Sequence, residues 1–292
     1  MGQRERIPVD AGPRAFPEVH FSRAGEAELG EHIWPARATP SEVKFVFPVK
    51  TKVASLTGGW CALNCAHCGG YYLKNMIPIE AIRPGGFKSL LLSGGCDEHG
   101  RVPVLPKLGL VQELKREHPS LRFNWHVGLI DEEAAEAIAP LADVISFDFV
   151  GDEETIAEVY GLAASVEDYR ATYRMLRSHT KVVPHITMGL RGGYLSGEYR
   201  ALDILGQEGL ERLAVLVFRP TRGTCYESSS PPSVGEVSEF LAWARRVFPQ
   251  VSIFLGCMRP GGTYRTELDS RALRVGVDGI VQPSPVTVKL AE

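Results

Sequence analysis

Eight short apolar or β-branched runs, at residues 53–56, 89–92, 122–126, 144–149, 182–188, 212–218, 251–255 and 279–281, alternate with amphipathic stretches at 108–117, 132–139, 166–178, 197–205 and 234–247. The short runs read as strands. A helix between successive strands carries the chain back to where the last strand began, so the strands pair in parallel. Eight strands over this length fit an α/β fold of the (β/α)8, TIM-barrel type better than an open doubly wound sheet, with a partial six-stranded barrel plus C-terminal additions as the alternative. The barrel spans 44–292. Residues 1–43, rich in Pro, Gly and charge and without a sustained period, read as an N-terminal extension.

Active sites of such barrels lie at the carboxyl ends of the strands, and here those ends are chemically loaded. Cys61, Cys65 and Cys68 follow the first strand as a CxxxCxxC triplet, and Ser93, Gly94, Gly95 and Cys96 follow the second. Asn124 and His126 lie on the third, Ser146 and Asp148 on the fourth, and His185 and Thr187 on the fifth. The sixth runs into a segment from Arg219 to Cys225, and Cys257 follows the seventh. Three thiolates on one tight loop suit a [4Fe–4S] cluster in which one iron has no protein ligand and is open to a small molecule. A structural zinc competes, but zinc ribbons usually present a second CxxC pair downstream, which this chain lacks.

Net charge is −3 and the Lys and Arg residues are scattered, so nucleic acid is not expected as the main ligand. No stretch has the length of a membrane span, and the N-terminus lacks the apolar core of a signal peptide. A cytoplasmic, reducing location is therefore expected, where six cysteines are metal ligands, catalytic groups or buried thiols rather than disulfides.

With the triplet and Ser93-Gly94-Gly95 in place, residues 50–285 resemble the radical S-adenosylmethionine (SAM) enzymes. The resemblance implies that the open iron is chelated by the methionine end of SAM and that SAM is cleaved to methionine and a 5′-deoxyadenosyl radical, which abstracts hydrogen. It implies that Ser93, Gly94 and Gly95 receive the SAM ammonium, with Cys96 where Glu is usual. His67 then lies near the adenine, as does the segment 188–193. Ser146 and Asp148 are placed for the ribose hydroxyls or the substrate, and Asn124, His126, His185 and Arg219 also face the cofactor. The C-terminal third is similar to biotin and lipoyl synthases. Phe47-Pro48-Val49-Lys50, Ser55-Leu56-Thr57-Gly58, Ser93 to Asp97 and Gly256-Cys257-Met258-Arg259 resemble a subunit of the two-component lipoyl synthases of archaea and some bacteria. That likeness implies sulfur insertion into an octanoyl-lysine of a carrier protein or peptide, a homologous partner subunit, and a reductant such as ferredoxin or flavodoxin. The alternatives are another biotin synthase-like output (a biotin synthase, a mutase or a metallocofactor maturase) and, more remotely, a non-catalytic iron–sulfur or zinc protein.

Cys96, Cys225 and Cys257 follow three different strands toward one mouth, and the sulfur-inserting enzymes carry a second, auxiliary iron–sulfur cluster that three such thiolates can hold. Arg219, Arg259 or Ser228 is available as a fourth ligand, and the competing reading makes these cysteines small half-buried apolar residues. His126 reads equally as a core histidine. Asp148, between Phe147 and Phe149, points to a ligand, since a buried carboxylate without a partner is costly. Arg259 either binds a carboxylate or pairs with Glu267 or Asp269.

Overall fold

All eight apolar runs form strands. The computed structural model describes residues 42–83 and 85–291, so the expected extension lies outside the described residues except for its last two. The strands are β1 (Lys44–Val46), β2 (Thr51–Ser55), β3 (Ile77–Pro78), β4 (Ser89–Ser93), β5 (Arg122–His126), β6 (Val144–Asp148), β7 (Val182–Met188), β8 (Arg212–Val217), β9 (Ser252–Leu255) and β10 (Gly279–Val281). They form one sheet in the order β1-β10-β9-β8-β7-β6-β5-β4-β2-β3, parallel at every pairing.

This order forces curvature. Laid flat, β1 and β2 would stand about 38 Å apart at the usual strand spacing. Only residues 47–50 separate Val46 from Thr51, and that link spans at most about 18 Å. The sheet therefore curls until its two edges approach, giving a partial TIM-type barrel.

The outer layer comprises α1 (Leu108–Glu117), α2 (Glu132–Ile138), α3 (Glu153–Thr155), α4 (Val166–His179), α5 (Glu198–Gln207), α6 (Val234–Val247), α7 (Gly262–Val275) and α8 (Pro285–Leu290). Local chemistry fixes their ends. Ser165 with Asp168 and Ser233 with Glu236 form capping boxes that open α4 and α6. The sequence did not signal α7, because few of its residues are apolar; Gly276 ends it in the left-handed conformation at φ 81°. After the cysteine triplet comes only a short 3-10 turn, Tyr71–Asn75.

Strand alternation separates the two faces of the sheet. Leu90, Leu92, Phe123, Trp125, Ile145, Phe147, Leu213 and Val215 are fully buried, and Phe147 packs on Tyr169 and Tyr173 of α4, which identifies that face as the helix side. Ser146 and Asp148, one residue out of phase, therefore face the lumen. Asn124, His126, His185 and Thr187 follow the same alternation. This lumen is polar at its carboxyl end, where a purely structural barrel would be packed with apolar layers.

Candidate active site

The cysteine loop is held by backbone. Ser55 Oγ donates to the Gly58 carbonyl (2.7 Å), and Thr57 Oγ1 accepts from the Gly95 amide (2.7 Å) while donating to the Trp60 carbonyl (3.0 Å). The turn after β2 is thereby clamped to the segment after β4. A Cβ on Gly95 would stand 2.5 Å from Cys61 Cβ and would strike the Trp60 carbonyl, so no side chain fits there. Ala62 N–H bonds to the Cys96 carbonyl (2.7 Å), and Cys96 N–H donates to Cys61 Sγ at 3.3 Å.

Cys61, Cys65 and Cys68 are half-buried thiols. Burial, with Cys68 and Cys61 beside it, pushes the Cys65 thiol up to about 12; burial together with Cys61 and Cys65 does the same to Cys96. Crowded thiols of this kind ionise when a cation supplies the missing positive charge, so the donor set fits an iron–sulfur cluster. A single tetrahedral zinc would draw the sulfurs to about 3.8 Å from one another. The triplet is not among the groups of described residues whose ligand atoms all fall within 4.8 Å.

The opposite side of the mouth is built from side chains. Ser146 Oγ donates to Asn124 Oδ1 (3.1 Å), and His126 Nε2 lies 3.0 Å from Asp148 Oδ2. His185, in register with Asp148, places Nδ1 3.5 Å from Asp148 Oδ1, near enough for an ion pair but without hydrogen-bond alignment. Burial would raise the Asp148 pKa, but the charge and hydrogen bond of His126, with His185 close by, outweigh it and hold the group well below the usual carboxylate range. Burial would likewise lower His126, yet Asp148 leaves it raised. Asp148 keeps 39% of its side chain exposed, so a ligand entering the mouth reaches it.

No family model matches this sequence, and no curated protein does. Solved structures do. Methylornithine synthase PylB superposes with TM-score 0.60 at 17% identity, covering 82% of this chain and 72% of that one. The FeFe-hydrogenase maturase HydG from Carboxydothermus hydrogenoformans gives 0.59 at 16%, covering 82% and 58%; SuiB of Streptococcus suis gives 0.54 at 13%, covering 76% and 51%. All three are radical SAM enzymes. The chain shares their fold, a partial parallel α/β barrel. At these identities the likeness is one of fold, and the chain spans little more than half of the maturase and of SuiB.

Within this fold the remaining expected residues separate. His67 is packed edge-on against Tyr160 (5.6 Å, 75°), and burial lowers its pKa to about 4 against the opposing pull of Asp148, which keeps it neutral. Its Nδ1 has no hydrogen-bond partner among the described residues. Cys225 is exposed on a loop pressed against the triplet: Tyr226 N–H bonds to the Ala66 carbonyl (3.3 Å), and the Thr224 methyl lies 3.4 Å from where a Cβ on Gly69 would stand. Cys257 is exposed as well, with its carbonyl bonded by Arg265. Cys96, Cys225 and Cys257 do not fall within 4.8 Å of one another. Cys96 belongs electrostatically with Cys61 and Cys65. Arg219 and Ser228 are exposed. Arg259 pairs with Asp269 (2.8 Å), so its guanidinium is committed to the scaffold.

Two residues escaped the sequence reading. Thr57 ties the two loops together, and its signal was a hydroxyl directly before Gly58-Gly59. Glu198 is buried and accepts from Gly189 N–H (2.8 Å) and Ser196 N–H (2.7 Å), bracing the glycine segment beside the mouth. A carboxylate opening a helix just after a glycine-rich stretch was the available sign. Among the described residues no helix is long and apolar enough to cross a membrane.

Proposed function

We propose that this chain is a radical SAM enzyme whose cluster is held by Cys61, Cys65 and Cys68. The observation that carries the reading is the close seating of the triplet loop on Gly94-Gly95 at the mouth of a polar-lined barrel. A [4Fe–4S] cluster bound there leaves one iron for SAM and supplies the electron that cleaves it to methionine and a 5′-deoxyadenosyl radical. The protein's own part is placement. Ser93, Gly94 and Gly95 present backbone carbonyls to the SAM ammonium, His67 and Tyr160 form a neutral wall for the adenine, and Ser146, oriented by Asn124, meets a ribose or substrate hydroxyl. Cys61 Sγ receives an amide hydrogen bond from Cys96, which steadies its charge. Incubating anaerobically reconstituted, reduced protein with SAM tests this: 5′-deoxyadenosine is expected, and its absence under strong reduction overturns the reading.

The finer reading is sulfur insertion into an octanoyl-lysine of a carrier, together with a homologous partner subunit. Supporting it are the motif residues from Phe47 to Lys50 and from Ser93 to Asp97, and the exposure of Cys225 and Cys257 on loops bordering the mouth. SuiB bound to its precursor peptide SuiA gives a precedent within this fold for a peptide substrate. An octanoyl-lysyl peptide with the partner protein is expected to gain sulfur by mass spectrometry. With an auxiliary cluster, iron content is about seven or eight per chain and falls to about four in Cys225→Ala or Cys257→Ala. A different output, a mutase or a metallocofactor maturase, is favoured by the likeness to PylB and HydG and is the reading left if no sulfur is gained.

A further inference from the structure

His126, Asp148 and His185 come from three adjacent strands, β5, β6 and β7, and their ligand atoms all lie within 4.8 Å of one another. Two imidazoles and one carboxylate on one face of a cavity are the donor set of three-ligand sites for iron(II), manganese(II) and zinc, with the remaining coordination positions open. The separations suit a shared ion: 3.0 Å from His126 Nε2 to Asp148 Oδ2 and 3.5 Å from His185 Nδ1 to Asp148 Oδ1. Metal–ligand bonds of about 2.1 Å span such distances at tetrahedral or octahedral angles.

A second observation points the same way. Asp148 Oδ1 and His185 Nδ1 are both buried atoms with no hydrogen-bond partner among the described residues, although they face each other. Buried polar atoms left unpaired cost on the order of 1–3 kcal/mol each, and these two lie side by side. One cation satisfies both lone pairs and also takes His126 Nε2 as a third donor. The rigidity is already present: the three residues sit on paired strands, with Asp148 opposite His185 and His126 opposite Ser146 in register.

We propose that His126, Asp148 and His185 bind one divalent cation in the barrel lumen, separate from the cysteine triplet, with its open positions directed at the mouth where a substrate oxygen can coordinate. The proposal does not depend on SAM cleavage and stands or falls separately from it.

Manganese(II) is the probe, because it avoids thiolates and so reads this site and not the cysteines. The full chain is reconstituted anaerobically, treated with chelator, desalted and titrated with manganese(II) in the absence of SAM, while the six-line electron paramagnetic resonance signal of the free ion is followed. One manganese per chain is expected, with nitrogen couplings from two imidazoles in the bound spectrum. Asp148→Asn and His185→Gln should each weaken binding by at least about tenfold, with the cluster absorbance unchanged as the check on folding; Glu136→Gln, in the separate Glu132, Glu136 and His179 group, should not. Wild-type protein that leaves the ion free, as it would if the triad served only a ribose hydroxyl, overturns the proposal. So does an Asp148→Asn variant that binds as tightly as wild type.

Discussion

Two ionic groups in this barrel, one fully buried and one half-buried at the mouth, have opposite bookkeeping. Arg259 and Asp269 are both 0% exposed and fully engaged. Arg259 donates to Asp269 and to the carbonyls of Gly256, Val281 and Gln282, while Asp269 Oδ2 accepts from Ser284 N–H (2.8 Å). In the His126, Asp148 and His185 group, two buried atoms remain unpaired. A closed network locks β9, β10, α7 and α8 together and has nothing left to offer a ligand. An open one at a barrel mouth does, which is why the two charged groups read as scaffold and as site.

Breaking the closed network should cost most. Arg259→Met strands Asp269 without its countercharge, and about 3–5 kcal/mol of stability is expected to disappear in denaturant unfolding. A loss below about 1 kcal/mol would erase the contrast. On the backbone-built side of the mouth, Gly95→Ala forces the Cys61 turn away from β4. Overpacking of this kind costs about 1–3 kcal/mol, and bound iron should fall with it. Asp148→Asn is the sharpest comparison with Arg259→Met. It keeps the shape and a hydrogen bond to His126 while removing the charge that both imidazoles face in a half-exposed site, so stability should fall by about 1–3 kcal/mol, less than in Arg259→Met, while substrate turnover is lost.

Glu198 lies between the two extremes: both its oxygens accept backbone hydrogen bonds, and it has no ion pair among the described residues. Burial pushes it up to about 7 from an ordinary 4.5. Between those values the folded state holds the proton that the unfolded chain has released, so the Glu198 contribution to stability falls as pH rises through that window. Urea unfolding at pH 5 and pH 8 should show wild type losing more stability than Glu198→Gln over the rise; equal slopes would remove Glu198 from the set of strained groups.

Much of this was legible beforehand. The eight apolar runs became the eight principal strands, because apolar period and helix interruption are written locally. β1 and β3 were not legible, being defined by their pairing to β10 and β2. The segment α7 was hidden by its polar composition, since packing of Leu268 and Ala272 against the barrel, more than pattern, holds it there. Among site residues, Asp148 was marked by its two Phe neighbours, whereas Glu198 carried only the weaker sign of a carboxylate opening a helix, because its partners at Gly189 and Ser196 depend on how the loop folds back.

By itself the sequence determined the strand-helix rhythm, the cysteine spacing and the glycines that let two loops meet, all of which are properties of neighbouring residues. Only the tertiary structure decided that Arg259 belongs to Asp269, that Cys96 sits with Cys61, and that His126, Asp148 and His185 share one point in space. Those outcomes depend on strand register and on the curl of the sheet, which are set by packing between segments far apart in the chain.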